Sequence, residues 1–291
     1  MNRICIMKCV LASEFTEEQL VKAHNIIFDD YEGVPELSLE IFRALNVQRG
    51  VIYEYSVAAI EGEQIIGLIL NAVRDYKGVK TGYDCGTGVV PEFRGKGVAK
   101  EMFAKVKEIL LSIDCHKYVL EVIQTNVNAF NLYKNQGFEI VREFDCMGGK
   151  LEDFKSKLPE IDLEDPHYSV FPSSEYSWEN VQKFQAYPPS WQNSNDSMKF
   201  STRHKVLELK SDNKLLGYMV YNPNSGEIAQ IGANDMKRTG KELVSYLISQ
   251  NSGIKQVYLI NIDTKNTELI ALLTDLNFAS FTKQYEMVLE F

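Results

Sequence analysis

The stretch PEFRGKGVAKEMF, residues 91–103, decides the fold of the chain around it. Two glycines lie within the basic tetrapeptide RGKG, and the residues that follow are apolar at every third or fourth position, which predicts a helix. The first turn of a helix leaves backbone N–H groups without intrahelical partners and carries partial positive charge, while glycine lets a ligand approach closely. We therefore predict an anion site at residues 94–100, with Arg94 and Lys96 adding charge. The alternative is a helix entry with solubilising basic side chains.

Composition limits the classes of function that fit the chain. Its 291 residues suggest about two domains, and 45% hydrophobic with 24% charged residues is typical of a soluble globular protein. The formal net charge is −9, which argues against nucleic acid or an anionic membrane as the partner, because both favour a concentrated basic face. No apolar run approaches the ~18 residues of a membrane span.

Cysteine and histidine usage points to a protein without a metal in a reducing compartment. The five cysteines are odd in number, widely spaced and lack a CxxC pair, which predicts reduced thiols and a cytoplasmic location. The four histidines show no HExxH or Cys/His spacing, so we expect no metal site.

The order of hydrophobic patterns predicts an α/β fold of the mixed α+β kind, with a core of strand, glycine loop, helix and strand. Residues 151–165 are acidic, which indicates a linker, and the polar stretch that ends in PPSWQNSNDS is typical of a loop. The predicted helices cover residues 16–31, 38–47, 98–112 and 127–135, and the predicted strands cover 4–10, 55–61, 65–75, 81–90, 117–123 and a segment after Gly137.

Two motifs in this order resemble those of the GNAT acetyltransferase superfamily. The run Arg94-Gly95-Lys96-Gly97-Val98-Ala99 resembles its R/Q-x-x-G-x-G/A signature. About 30 residues later, Asn126, Ala129, Leu132 and Tyr133, followed by Gly137-Phe138, resemble its N-x-x-A-x-x-L-Y and G-F signature. Residues from about 50 to 145 carry the resemblance, and residues 1–49 share only the order of elements.

The resemblance implies a GNAT-type acyl-CoA N-acyltransferase fold, with a mixed central sheet flanked by helices. It also implies that the protein moves the acetyl group of acetyl-CoA to a primary amine by direct attack in a ternary complex. It implies that the strand backbone at Val89 and Val90 pairs with the pantetheine amides. The loop residues of the first signature, through Lys100, would take the pyrophosphate, and Asn126 and Asn131 would lie near the pantetheine arm.

The reaction also requires a proton acceptor and a proton donor. A lysine-like amine with a pKa of ~10.4 is neutral in only ~1 molecule in 2,500 at pH 7, a penalty of ~4.6 kcal/mol. Glu121, on the strand 117–123, is the first candidate base, and Asp84, on the neighbouring strand, is the second. By resemblance Tyr133 is the acid that protonates the leaving thiolate. The alternatives are a solvated Glu121 and a Tyr133 that only packs.

The second half resembles a degenerate copy of the first. INIDTKNTELIALLTDLNF, residues 260–278, aligns without a gap on LEVIQTNVNAFNLYKNQGF, residues 120–138. Leu273 replaces Tyr133, and an upstream alignment pairs Gly240 with Gly97 and Glu242 with Ala99. We therefore predict a catalytic domain at 1–150, the linker at 151–165 and a degenerate GNAT-like domain at 166–291; a chance likeness is the alternative.

Two other functions compete with acetyl transfer: a non-catalytic acyl-CoA sensor, and a regulator that holds another nucleotide in the glycine loop. The acceptor, a small-molecule or peptide amine, cannot be identified from the sequence, which also leaves a homodimer open.

Overall fold

The computed structural model describes residues 7–30, 35–76, 78–250 and 252–291. They form two compact units. The first contains the described residues of Met1–Val122 with Asn126–Val141 and Glu286–Phe291, and the second contains Ile123–Thr125 and Arg142–Tyr285. These are units of packing; the domain limits at residues 150 and 166 describe the sequence repeat and stay a prediction.

The first unit is built on a mixed sheet in which β1 to β4 pair antiparallel in order and β5 joins β4 in parallel. The last residues of β12 complete it beside β5. Its elements are β1 (Lys8–Leu11), α1 (Glu17–Phe28), α2 (Leu39–Arg49), β2 (Val57–Glu61), β3 (Gln64–Tyr76), β4 (Val79–Val89), α3 (Val98–Ser112), β5 (Lys117–Ile123), α4 (Val127–Asn135) and the start of β6 (Glu139–Lys150).

Local signals set the helix limits. The Thr16 hydroxyl accepts from the Gln19 amide in a capping box at the start of α1, and the Ser38 hydroxyl caps α2 by accepting from the Ile41 amide. Gly50 ends α2 in a left-handed conformation with φ of 78°. α1 and α2 bury an apolar cluster that includes Leu20, Ile27 and Phe42.

The second unit contains an antiparallel four-stranded sheet in the order β10-β9-β8-β7, and an antiparallel pair of β11 with β6. Its largest apolar cluster includes Met219, Leu243, Leu247 and Val257. The elements are α5 (Leu151–Phe154), β7 (Tyr168–Pro172), α6 (Asn195–Met198), β8 (Lys205–Ser211), β9 (Lys214–Tyr221), β10 (Ile228–Ala233), α7 (Thr239–Gln250), β11 (Gln256–Asp263), α8 (Thr267–Asp275) and β12 (Ala279–Glu290).

The units repeat a local geometry that the aligned sequences predicted. Asn126 and Asn266 both cap a helix by accepting from the amide three residues on, with nearly equal dihedral angles. Gly137 and Asn277 both take positive φ, of 98° and 61°, at the residue that ends this motif. The sequence repeat is therefore matched in backbone conformation at these positions.

Most predicted elements of the first half are confirmed, including β5 and α4 to the residue. Within the described residues, the predicted first strand is confirmed from Lys8 to Val10, and its predicted residues 4–6 lie outside the described ranges. The segment 151–165 is packed, because Phe154 is fully buried and Leu158, Ile161 and Leu163 pack on the cluster of the second unit. The predicted loop at 166–197 holds β7, α6 and short 3-10 helices. No helix among the described residues has the length and apolar content to cross a bilayer.

Candidate active site

β4 and β5 pair over a short distance and then separate. Within the described residues their ladder comprises three register pairs, from Thr81 with Lys117 to Tyr83 with Val119. A bulge follows at once on β4, where the register with β3 shifts and Cys85 is the extra residue. The opening beyond these pairs is bounded by the backbone of β4 on one side and of β5 on the other.

The backbone of β4 directs polar groups into this opening. The Val90 N–H bonds the Ile66 carbonyl at 2.9 Å, so Val89 and Gly67 form a non-hydrogen-bonded pair of the antiparallel ladder. The backbone groups of Val89, and of Thr87 two residues earlier, therefore point away from β3 and towards β5. Of the two predicted pantetheine contacts, Val89 faces the opening and Val90 bonds to β3.

Beyond β4, the chain turns into α3 through two left-handed glycines. Gly95 and Gly97 have φ of 73° and 86°, and a Cβ on either would meet nothing within 4 Å. Gly97 is the N-cap, and the Glu101 amide makes the first helical bond, to the Gly97 carbonyl, at 3.1 Å. The three preceding N–H groups thus belong to the helix end where an anion binds best. The lining residues are exposed, except for buried Val98 and half-buried Ala99.

The basic residues of the loop have different roles. The Arg94 guanidinium donates to the Val89 carbonyl at 2.9 Å, to the Ile27 carbonyl at 3.2 Å and to an Asp30 carboxylate oxygen at 2.7 Å. This pairing lowers the pKa of Asp30 below its ordinary value. Arg94 thus joins the end of β4 to α1, whereas the Lys96 ammonium lies 5.0 Å above the Phe93 ring.

Glu121 meets a residue that the sequence did not single out. The Tyr83 hydroxyl, on β4, donates to a Glu121 carboxylate oxygen across the two strands. Burial, and then the Glu121 carboxylate, raise the pKa of Tyr83 well above its ordinary value, so Tyr83 stays a donor. Alternation along β5 could have placed Glu121 on this face, but the register that pairs Tyr83 with Val119, and so brings its hydroxyl within reach of Glu121, appears only in the fold.

Asp84 points to the opposite face of β4 from Tyr83, because neighbouring strand residues alternate. Its carboxylate accepts from the Gly86 amide at 2.9 Å and from the Thr87 hydroxyl at 2.6 Å, which ties it to the bulge. Burial raises the pKa of Asp84 to about 6, against the lowering effect of those hydrogen bonds. The two candidate bases therefore lie on different faces of the sheet.

The remaining predicted residues lie on α4. Tyr133 is 6% exposed and packs edge-on against Phe103, with ring centroids 5.7 Å apart. Asn126 caps the helix through its side chain, 3.1 Å from the Ala129 amide, and Asn131 is exposed. Asn126 thus has a demonstrated structural role, and Tyr133 shares an aromatic cluster.

At the start of α7, the equivalent helix end in the second unit, backbone N–H groups are already bonded to groups of the chain itself. The Asp235 carboxylate accepts from the Arg238 amide at 3.0 Å, and the Thr239 and Gly240 amides bond the carbonyls four residues earlier. The proposed match of Gly240 with Gly97 is wrong in position, since Gly240 is buried within the first turn of α7 and a Cβ there would lie 2.6 Å from Leu272. The glycine serves close helix packing.

Comparison with known proteins agrees with this geometry. Residues 20–138 match the model of the Acetyltransferase (GNAT) family. A segment of 79 residues is 30% identical to N-alpha-acetyltransferase 30 of Dictyostelium discoideum and covers 27% of this chain and 43% of that protein. A segment of 55 residues is 36% identical to thialysine N-epsilon-acetyltransferase of Mus musculus and covers 19% of this chain and 32% of that protein. The matches thus span less than half of either relative.

Two solved structures share the fold over nearly the whole chain. A tandem GNAT protein from the clavulanic acid biosynthesis pathway superposes with a TM-score of 0.70 at 13% identity, covering 98% of each chain. An acetyltransferase described as putative, from Pyrococcus horikoshii, superposes with a TM-score of 0.69 at 12% identity, covering 100% of this chain and 91% of that one. At these identities the likeness establishes the fold alone, and it extends to both halves.

Proposed function

Residues 20–138 form a domain of the GNAT acetyltransferase family, and on that premise we propose that the protein transfers the acetyl group of acetyl-CoA to a primary amine. The observation that carries the proposal is the opening between β4 and β5 with the glycine-lined start of α3 at its end. It offers strand backbone for an extended amide chain and helix N–H groups for a pyrophosphate, the two polar parts of coenzyme A.

In this proposal Lys96 and the N–H groups of the loop bind the phosphates, and Arg94 holds the loop in place. Val89 contributes the strand hydrogen bond to the pantetheine arm. No metal is required, because direct attack on a thioester needs only positioning and proton transfer.

Glu121 accepts the proton of the amine, directly or through water, and Tyr133 protonates the thiolate that leaves. The Tyr83 hydroxyl orients the Glu121 carboxylate from β4. Asp84 is the weaker candidate base, since it points to the other face of the strand and is held by Gly86 and Thr87. The acceptor in this proposal is a small-molecule or peptide amine.

The deciding experiment measures CoA release over a panel of amines, together with the thermal shift that acetyl-CoA produces. Gly97→Glu is expected to abolish both, because the side chain fills the open space at the helix start and adds negative charge. Gly78→Glu is the matched control, since Gly78 also has positive φ, of 79°, and a Cβ there would likewise meet nothing within 4 Å.

Both variants place a non-glycine residue in the left-handed region, at a similar cost of ~1–2 kcal/mol. The ligand-dependent shift therefore separates them, since ligand stabilises only a native state that binds it. If Gly97→Glu kept the acetyl-CoA shift of wild type, the phosphate site would lie elsewhere. A shift with acetyl-CoA but no CoA release from any amine would instead favour the sensor.

A further inference from the structure

The second unit has a strand opening of the same kind as the first. β10 and β11 approach each other at one parallel bridge, between Glu227 and Tyr258, where the Tyr258 amide bonds the Gly226 carbonyl at 3.1 Å. Beyond that point the two strands belong to different sheets. In chain order they correspond to β4 and β5, whose separation forms the candidate acetyl-CoA site.

A segment of the chain itself lies in this second opening. We call residues 188–193 the strap. On the β11 side, the Asn193 side chain donates to the Ile260 carbonyl at 3.0 Å, and the Asn261 side chain donates to the Ser190 hydroxyl at 3.2 Å. On the β10 side, the Gln230 side chain donates to the Asn193 carbonyl at 2.5 Å. The strap is thus hydrogen-bonded to both strands.

Three residues of the strap are as buried as core residues, although Pro188 at its start is exposed. Ser190 and Trp191 are fully buried, and Asn193 is 3% exposed. The cavity that remains beside it is about 60 Å³, room for about two water molecules. An acyl-CoA arm would have to displace Asn193 and break its bonds to β10 and β11.

Asn261, which has a left-handed backbone conformation, anchors the strap to β11. Asn261 has a φ of 58° and lies in the bulge of β11 between Leu259 and Ile262, although it is not glycine and is 5% exposed. Its amide is held by the Ser190 hydroxyl and by the Gln284 side chain, which donates at 2.9 Å. In the aligned halves Asn261 stands where the first unit has Glu121.

We propose that the strap is a permanent, built-in occupant of the second opening and takes the place of an acyl-CoA arm, so that the second unit is not a cofactor site. The proposal rests on the proposed function only for the identity of the excluded ligand. The position that supplies the candidate base in the first unit here anchors the strap. The strap residues thereby acquire a role that the sequence did not predict.

The first test uses the fluorescence of Trp191 to report whether the strap stays in place. The chain has two tryptophans, so Trp178→Phe leaves Trp191 as the only indole. We expect blue-shifted emission and weak acrylamide quenching from Trp191. Saturating CoA or pantetheine should change neither, both in Trp178→Phe and in the double variant that also carries Gly97→Glu. A red shift or increased quenching with pantetheine in the double variant would show displacement of the strap and overturn the proposal.

The second test needs no ligand and so stands if the proposed function fails. Asn193→Ala removes the side-chain bond to the Ile260 carbonyl, while the backbone carbonyl that accepts from Gln230 remains. Hydrogen exchange at the β11 amides should therefore rise by about tenfold. Asn180→Ala, at an exposed position of the same unit, is the matched control and should leave those amides unchanged. Equal exchange in the two variants would contradict a strap that holds the strands. Absence of CoA binding to wild type would refute the acetyltransferase and leave this result intact.

Discussion

The hydroxyl of Tyr133, on α4, decides whether this residue is catalytic or only packs in the core. The ring is 6% exposed and contacts Phe103 and Phe138, so Tyr133→Phe preserves the packing. We expect kcat to fall by about 100-fold or more, the usual scale of a lost general acid, while the Kd for CoA changes little. Steady-state kinetics with calorimetry make the comparison, and Tyr246→Phe, buried in the second unit, is the control. Unchanged kcat would leave Tyr133 as a core aromatic.

Asp84 provides a pH-dependent prediction at the same scale. Because burial raises the pKa of Asp84 to about 6 from 3.8, the folded state binds more protons than the unfolded state between these values. The contribution of Asp84 to stability is therefore present below about pH 4 and lost as the pH rises through 6.

Asp84→Asn should accordingly raise the free energy of unfolding at pH 7.5, by up to about 3 kcal/mol for a pKa raised from 3.8 to about 6. This gain in the free energy of unfolding should be smaller at pH 4.5. Urea titrations at both pH values measure it. Turnover should persist, because Asp84 and Glu121 face opposite sides of the sheet. Loss of turnover without loss of CoA binding would make Asp84 the base.

At this scale the sequence identified the residue types but not their partners. Glu121 could be found from strand alternation, and Gly97 from the helix start. The hydrogen bond from Tyr83 to Glu121 and the ion pair of Asp30 with Arg94 could not be found. Both join residues that are distant in sequence and depend on strand register and on how α1 packs. Through its pairing Arg94 holds the loop, and the phosphate contact that the motif predicts for this side chain stays a prediction.

Among the elements, α4 and α8 offer a natural pair. Each begins at an asparagine that accepts from the amide three residues later, Asn126 from Ala129 and Asn266 from Leu269. Replacing either cap by alanine should lower the free energy of unfolding by about 1 kcal/mol. Differential scanning calorimetry measures both.

The two variants should differ in their affinity for CoA. If Asn126 also lies near the pantetheine arm, Asn126→Ala weakens CoA binding and Asn266→Ala does not, while Asn126→Asp restores the cap. Equal CoA affinity in all three variants would restrict Asn126 to capping.

Strong local signals made the elements of the first half predictable. β5 and α4 matched their predicted limits because a Val-rich run and an Asn cap define their ends. The segment 166–197 was less readable, since its helices are short and its apolar residues serve strands elsewhere in the second unit. Trp191 has no periodic partner in sequence, yet it is among the largest fully buried side chains.

Across the whole molecule, the sequence repeat is matched in backbone conformation, while the contacts at the start of α7 differ from those that the alignment predicted. Glu242 is paired with Arg238 at 3.2 Å, and the helix start is capped by the Asp235 carboxylate. The sequence alignment placed Gly240 at the helix start because it matched this glycine to Gly97. Only the backbone shows that this glycine serves packing.

The two helix starts together predict one molecule of acetyl-CoA per chain. At α3 the N–H groups before Glu101 face an open, glycine-lined loop, which suits a pyrophosphate. At α7 the Thr239 and Gly240 amides are bonded to carbonyls, and the Asp235 carboxylate holds the position that an anion would take. A phosphate there would meet a like charge, and the Arg238, Thr239 and Gly240 amides are already bonded. Isothermal titration calorimetry should therefore give a stoichiometry of one for wild type and no binding for Gly97→Glu, with Gly78→Glu still at one. Two equivalent sites in wild type would mean that Asp235 yields to the ligand, and retained binding in Gly97→Glu would place the single site in the second unit.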